Sequence, residues 1–348
     1  MADLLRFGLI GCGAQGRYLS EALAMTERAE LVACADPKAE AAEAAVQLCG
    51  YRQAYDDYWK MLEQEDLDAV IVATIHDQLF PAALAAVESG KHVFVEKPMA
   101  LCAEDGRTLT KTAREAKLKL MVGYTLRFMP ERILLKRLLE QGAIGEVAHI
   151  GAGQLIGGMG GWLGEKAHGG GPLYYIGSHV IDNVLWVSGR RAKRVYAEVT
   201  WKDGSDVEAG VQLTIRFEDD STAMVCTSQR LGGRYGWLDV MGTGGRMRTE
   251  WEKTELWIQS NSIPEYQYLT SVNVPTMANL PPVPANAVAR VSGSAYIRMW
   301  MGEFDDFTRA IIEDRDPAVT GEDGVACLEV IDAVFKSAKA GMPVETAG

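Results

Sequence analysis

The sequence predicts an α/β part built on a doubly wound parallel sheet, followed by an α+β part with a mostly antiparallel sheet. Three observations carry this. From residue 5 to about 123, short apolar runs alternate with helix-like segments. The first of those runs ends in a glycine-rich turn. After Tyr124 the alternation stops, and runs with a period of two take over. The boundary is expected at 123/124, giving parts 1–123 and 124–348, with the C-terminal helices able to pack back on the first.

The first strand and its turn read Arg6-Phe7-Gly8-Leu9-Ile10-Gly11-Cys12-Gly13-Ala14-Gln15-Gly16-Arg17. Each glycine of this Gly-x-Gly-x-x-Gly pattern has its own reason. Gly11 permits the tight strand-to-helix turn, Gly13 lets a pyrophosphate approach the backbone, and Gly16 lets the helix pack close to the strand. The helix start offers unpaired N–H groups to phosphate oxygens. Gly11, Cys12, Gly13, Ala14, Gln15 and Gly16 are therefore the expected cofactor cradle. A second apolar strand, Glu30 to Ala35, ends at Asp36, about 20 residues past the last glycine, where a ribose-binding carboxylate belongs. Asp36 favours NAD over NADP because it accepts from a ribose 2′-hydroxyl and repels a 2′-phosphate; Lys38 softens that repulsion.

Val70-Ile71-Val72-Ala73 and His92-Val93-Phe94-Val95 are near-continuous apolar runs, as expected of parallel strands covered on both faces. Gln78 to Ser89 reads as a helix closed by Gly90-Lys91, and Leu120 to Gly123 as a sixth strand. Ligands of such sheets sit beyond the carboxyl ends of the strands. That rule singles out Thr74 to Asp77 and Glu96 to Pro98. Later, a helix is expected over Pro130 to Glu140. Val211 to Phe217 and Thr222 to Ser228 form a hairpin with one covered face. Further strands are expected near Leu238 to Met241 and Glu255 to Gln259. Residues 272–295, rich in proline, read as a long ordered loop, and two helices close the chain at about Met299 to Ile312 and Gly321 to Lys339.

Composition narrows the function. The 348 residues are 48% hydrophobic, enough for a substantial core. A net charge of −12 without a basic block argues against nucleic acid as the partner. No run is long enough to span a membrane, and no leader pattern precedes the first strand, so the cytoplasm is the expected compartment. The six cysteines are scattered without a C-x-x-C pair, which favours reduced thiols over a disulfide framework or a metal site.

Three more stretches are informative together: Gly90-Lys91-His92-Val93-Phe94-Val95-Glu96-Lys97-Pro98, Met121-Val122-Gly123-Tyr124-Thr125-Leu126-Arg127-Phe128, and Gly169-Gly170-Gly171-Pro172-Leu173-Tyr174-Tyr175-Ile176-Gly177-Ser178-His179-Val180-Ile181-Asp182. With the glycine turn and Thr320 to Gly324, they resemble the glucose–fructose oxidoreductase / inositol dehydrogenase / rhizopine catabolism (Gfo/Idh/MocA) family, over nearly the whole chain. The resemblance implies a Rossmann domain plus an open-faced sheet domain. It implies NAD(P)-dependent oxidation or reduction of a sugar, cyclitol or related hydroxyl compound. It also implies a homodimer or homotetramer assembled through the sheet.

The same resemblance places Lys97 beside the nicotinamide and the substrate hydroxyl, where its amine can share a proton. Pro172 suits the first position of a helix. From there Tyr175, His179 and Asp182 share one face at spacings of four and three, with Ile176, Val180, Ile181, Val184 and Leu185 opposite. His179 is the expected general base, Lys97 the orienter and proton relay. The family usually carries Asp where this chain has Tyr175. An altered substrate, an altered acid/base arrangement and lost dehydrogenase activity remain open, and Asp182 is a candidate to supply part of the missing carboxylate. Thr74, His76 and Glu96 are expected to line the cofactor; Tyr124, Arg127, Trp162 and Tyr175 are expected to meet substrate. Two further functions stay open beside the dehydrogenase: an oxidation–elimination enzyme that regenerates its cofactor, and a catalytically silent NAD-binding regulator.

Overall fold

Six parallel strands form the first sheet: β1 (Leu5–Ile10), β2 (Ala29–Ala35), β3 (Gln53–Tyr55), β4 (Ala69–Val72), β5 (His92–Val95) and β6 (Leu120–Val122). Their order is β3-β2-β1-β4-β5-β6, so the direction of winding changes between β1 and β4. Five helices lie between them: α1 (Ala14–Ala24), α2 (Ala39–Cys49), α3 (Tyr58–Gln64), α4 (His76–Glu88) and α5 (Ala103–Glu115). The computed structural model describes residues 4–201, 204–230, 233–250, 253, 255–273 and 294–346.

The second sheet has nine strands, in the order β14-β13-β12-β11-β7-β10-β9-β8-β15. They are β7 (Val147–Leu155), β8 (Ala192–Trp201), β9 (Glu208–Phe217), β10 (Thr222–Ser228), β11 (Tyr235–Gly242), β12 (Gly245–Glu250), β13 (Glu255–Ser260), β14 (Thr270–Asn273) and β15 (Val344–Glu345). Pairing is antiparallel except between β7 and β10. Helices α6 (Pro130–Glu140) and α7 (Ser178–Ser188) pack on one face. The other face carries Tyr196, Thr214 and Met224 in register on β8, β9 and β10, with Met224 52% exposed. Apolar and polar residues alternate along β9 and β10 because only one face is covered.

Two helices follow: α8 (Ser294–Ile312) and α9 (Gly321–Ala340). By its contacts the chain divides into one unit of Met1–Thr125 with Asn279–Val325, and another of Leu126–Ala278 with Ala326–Gly348. Residues 279–325 therefore group with the N-terminal part rather than with the rest of 124–348. Aromatic packing explains this. Phe94 of β5 meets Phe304 of α8 at 4.8 Å between ring centroids, and Phe307 meets both Phe7 at 6.2 Å and Phe94 at 6.1 Å.

The expected loop over 272–295 needs correcting at both ends. Residues 272 and 273 belong to β14, and α8 begins at Ser294; residues 274–293 lie outside the described residues. All six cysteines are free thiols. No described helix is long and apolar enough to cross a membrane.

Phe304 is fully buried at the centre of the aromatic cluster. Replacing it with alanine removes the ring and leaves a void, so Phe304→Ala is expected to cost about 3–5 kcal/mol. Urea denaturation checks this; an unchanged midpoint would mean that α8 is not anchored by this ring.

Candidate active site

In the first unit the glycine turn is shaped by close backbone contacts. Gly11 has φ +95°, and a Cβ there would stand 2.5 Å from the Ala73 carbonyl oxygen. A Cβ on Gly16 would stand 2.0 Å from the Gly11 carbonyl oxygen. Both positions must lack a side chain for α1 to lie this close to β1. Gly13 is different, since a Cβ there meets nothing within 4 Å. Open space at Gly13 and a first helical turn without an acid suit a pyrophosphate. Ala14 is exposed beside it.

Asp36 stands at the end of β2 and is held by two backbone amides. Cys12 N donates to Oδ2 at 2.9 Å and Lys38 N to Oδ1 at 2.9 Å. The first bond ties the acid directly to the glycine turn. Thr74 follows β4 and donates to the Ile75 carbonyl at 3.1 Å; His76 opens α4 and is buried. These residues fit a nicotinamide dinucleotide: open space at Gly13, a helix start without an acid, and a carboxylate held at the end of β2.

Glu96 and Lys97 follow β5 and are 7% and 8% exposed. Gln15 Nε2, from the first turn of α1, donates to Glu96 Oε1 at 2.8 Å. Lys97 N donates to Glu96 Oε2 at 3.1 Å, and the Lys97–Pro98 bond is cis. Burial pushes the Glu96 carboxyl up, while the Lys97 charge and the bonds from Gln15 and the Lys97 amide oppose the rise. Gly123 lies against this carboxyl and the Phe94 ring; a Cβ there would sit 3.4 Å from the first and 3.2 Å from the second.

In the second unit, the Gly169-Gly170-Gly171 run winds against the segment that carries Trp162. Gly171 N donates to Leu163 O at 2.9 Å and Gly170 N to Glu165 O at 3.0 Å. Gly171 has φ +102° and lies against the Glu208 carboxylate, 2.5 Å from where its Cβ would be. Buried Glu208 accepts from Leu173 N at 2.8 Å, so it caps the helix start. Burial pushes the Glu208 carboxyl up, and the Leu173 bond opposes this.

The helix itself departs from the expected regular pattern. Leu173–Gly177 is a π-helical turn, and α7 begins only at Ser178. Such turns recur where a side chain must be re-aimed. Tyr175 and His179 are half-buried and stay on the accessible side. Asp182 does not join them. It is 1% exposed and takes a bidentate pair from Arg127, Nε at 3.0 Å and Nη2 at 2.6 Å. The Arg127 guanidinium also lies over the Trp186 ring at 5.8 Å. Expecting Asp182 on the open stripe overlooked this buried cation, reached through the wider π turn. Arg127 and Tyr124, expected to meet substrate, are both interior: Arg127 anchors α7, and Tyr124 exposes no surface. Trp162 remains half-exposed.

Several placed polar groups were not legible beforehand. Glu208 is one. Another is a small cavity beside α7, lined in part by Arg132, Gln154, Asn183 and Trp237. Arg132 Nε, Gln154 Oε1 and both amide atoms of Asn183 are buried without a hydrogen-bond partner. Ordered water satisfies such a set. Burial pushes Arg132 down to about 10, against the Glu131 charge. Glu303 of α8 is a further buried acid, and here the sequence carries a signal: an acid among Trp300, Phe304 and Phe307 at helical spacing.

Comparison with known proteins places this geometry. Residues 5–124 match the oxidoreductase family model described as an NAD-binding Rossmann fold. Residues 133–248 match the GFO/IDH/MocA C-terminal domain. Inositol 2-dehydrogenase of Rhizobium meliloti (strain 1021) is 26% identical, with 96% of each chain covered. The levoglucosan dehydrogenase of Pseudarthrobacter phenanthrenivorans is 25% identical, again over 96% of each. A solved structure of levoglucosan dehydrogenase in complex with NADH and levoglucosan superposes with a TM-score of 0.90, at 25% identity, covering 99% of this chain and 100% of that one. With both halves matched and the glycine turn, Asp36 and the Glu96–Lys97 strand end in place, the chain belongs to the Gfo/Idh/MocA family of NAD-binding oxidoreductases.

Proposed function

We propose that the protein transfers a hydride between a nicotinamide dinucleotide and the hydroxyl-bearing carbon of a sugar, cyclitol or sugar derivative. Lys97 and His179 handle the proton. The observation that carries this reading is Lys97 itself: a mostly buried amine at the end of a central parallel strand, set beside a buried carboxylate, in the unit that holds the glycine turn. The relatives named as inositol and levoglucosan dehydrogenases support the substrate class.

When bound, the nicotinamide supplies the site that accepts or returns the hydride. Lys97, next to the Glu96 carboxyl, donates to the substrate oxygen and orients the hydroxyl. His179 takes the hydroxyl proton, for which an imidazole suits neutral pH. Tyr175 offers a ring face and one hydroxyl where relatives of this family carry a carboxylate, so it selects among substrate hydroxyls. Asp36 favours NAD over NADP, since its two oxygens already face the glycine turn and the following loop. The exposed row of Tyr196, Thr214 and Met224 supports self-association through the second sheet, as a dimer or tetramer.

Reduced-nicotinamide absorbance across a panel of sugars and cyclitols tests the activity. Net reduced cofactor is the expected result. Product without net reduced cofactor means oxidation followed by elimination, and cofactor binding without any product means a regulatory protein. Lys97→Met is expected to lower kcat by about 10²–10⁴-fold, and His179→Gln by a similar factor, while NADH affinity from fluorescence titration changes far less. Full turnover in either variant sinks its assigned role. Asp36→Ser is expected to move the NADP-to-NAD ratio of kcat/KM upward by at least about tenfold, the size of one charged hydrogen bond; an unmoved ratio contradicts its part in selection. Tyr175→Asp is expected to change the substrate profile more than the cofactor KM, and an identical profile refutes that.

A further inference from the structure

Behind Lys97 lies a second acid that the reaction as described does not use. Glu303, in the middle of α8, is fully buried. Thr125 Oγ1 donates to its Oε2 at 3.2 Å, and its Oε1 has no hydrogen-bond partner among the described residues. Glu96 is better served, with Gln15 on one oxygen, the Lys97 amide on the other and the Lys97 charge nearby. The two carboxyls meet around one short stretch of chain. Gly123 packs against the Glu96 carboxyl, and Thr125, two residues on, holds Glu303. Phe94 and Phe304 pack against one another nearby, their rings tilted by 40°.

Burial pushes the Glu303 carboxyl well up, the Glu96 charge adds to this, and the Thr125 bond opposes it. Among the described residues, the charge that acts on Glu303 is that of Glu96. Asp305 and Asp306 on α8 itself are tied to Arg28 and Arg315. Helix α1 contributes Gln15 and the stretch after β6 contributes Thr125, both neutral. Two dry carboxyls whose charges oppose one another do not both ionise at neutral pH. The bare oxygen of Glu303 makes it the poor place for an anion.

We propose that Glu303 is a positioning residue of the reaction: it keeps the one proton of a buried carboxyl pair, so that the pair's negative charge rests on Glu96 beside Lys97. As the pH rises, Glu303 gives up that proton before the cluster loses its cation. The second negative charge then holds the Lys97 ammonium to higher pH. The pair buffers the charge of the amine that touches substrate. This rests on the reading of Lys97 given above.

Glu303→Gln tests it, because glutamine keeps the shape and still accepts from Thr125 but has no acidic proton. The first readout needs neither cofactor nor substrate. Difference infrared spectroscopy at neutral pH is expected to show a protonated-carboxyl carbonyl band in the native protein that is missing in Glu303→Gln. An identical spectrum overturns the proposal. The second readout is the alkaline limb of the kcat/KM profile, expected to move to lower pH by about half a unit or more in Glu303→Gln. A merely structural role lowers kcat at every pH without moving the limb, and that result also overturns the proposal. Lys97→Met separates the two readings. If it keeps turnover and the limb, the role of Lys97 fails and the link from Glu303 to turnover fails with it, whereas the infrared band still reports where the proton sits.

Discussion

The first unit depends on how closely α1 approaches β1. A methyl group at position 16 would collide with the carbonyl of residue 11, so the helix start is pinned at the end of the strand. Because β1 lies between β2 and β4, that pinned start is central in the sheet. Gln15, on the first helical turn, reaches across to Glu96 after β5. One side-chain bond thus joins the glycine turn to the strand end that carries Lys97. Asp36 is tied to the same turn from the other side through Cys12. The cradle and the amine are parts of one rigid row of strand ends.

In the second unit, buried acids do the corresponding work with different chemistry. Glu208 satisfies an amide at the start of the Tyr175–His179 helix. Asp182 binds Arg127 one turn past His179. A buried ion pair loses much of its Coulombic gain to desolvation. Its value here is directional, because a bidentate guanidinium fixes the rotation of α7 about its axis. Rotation of α7 sets where His179 points. The π turn lies between the two anchors.

Much of this was legible in the sequence, for a physical reason. The glycine turn, Asp36, the Glu96–Lys97–Pro98 strand end and the closing helices are encoded by local constraints: a tight turn, a buried strand, an amphipathic period. The fold class followed from the same signals. What stayed hidden depends on partners far along the chain. Asp182 looks like a surface acid until Arg127 is placed against it. Glu208 reads as an ordinary strand residue until Leu173 lies above it. Strand β7 carries Gly151 and Gly153 and gives little sign of a strand, yet Gly153 is required beneath the Trp237 ring, 2.2 Å from where its Cβ would be. Tyr124, beside a motif, looks functional and is core.

The double anchoring of Asp36 has an evolutionary consequence. Its carboxylate is already oriented by two amides, so on the proposed reading no side-chain freedom is lost when a ribose is captured. That same orientation makes the acid a structural member of the turn. Exchanging it for a residue tolerant of an extra phosphate would strand the Cys12 amide without its acceptor. On the proposed reading, any shift of cofactor preference reached through this position also costs the turn one hydrogen bond.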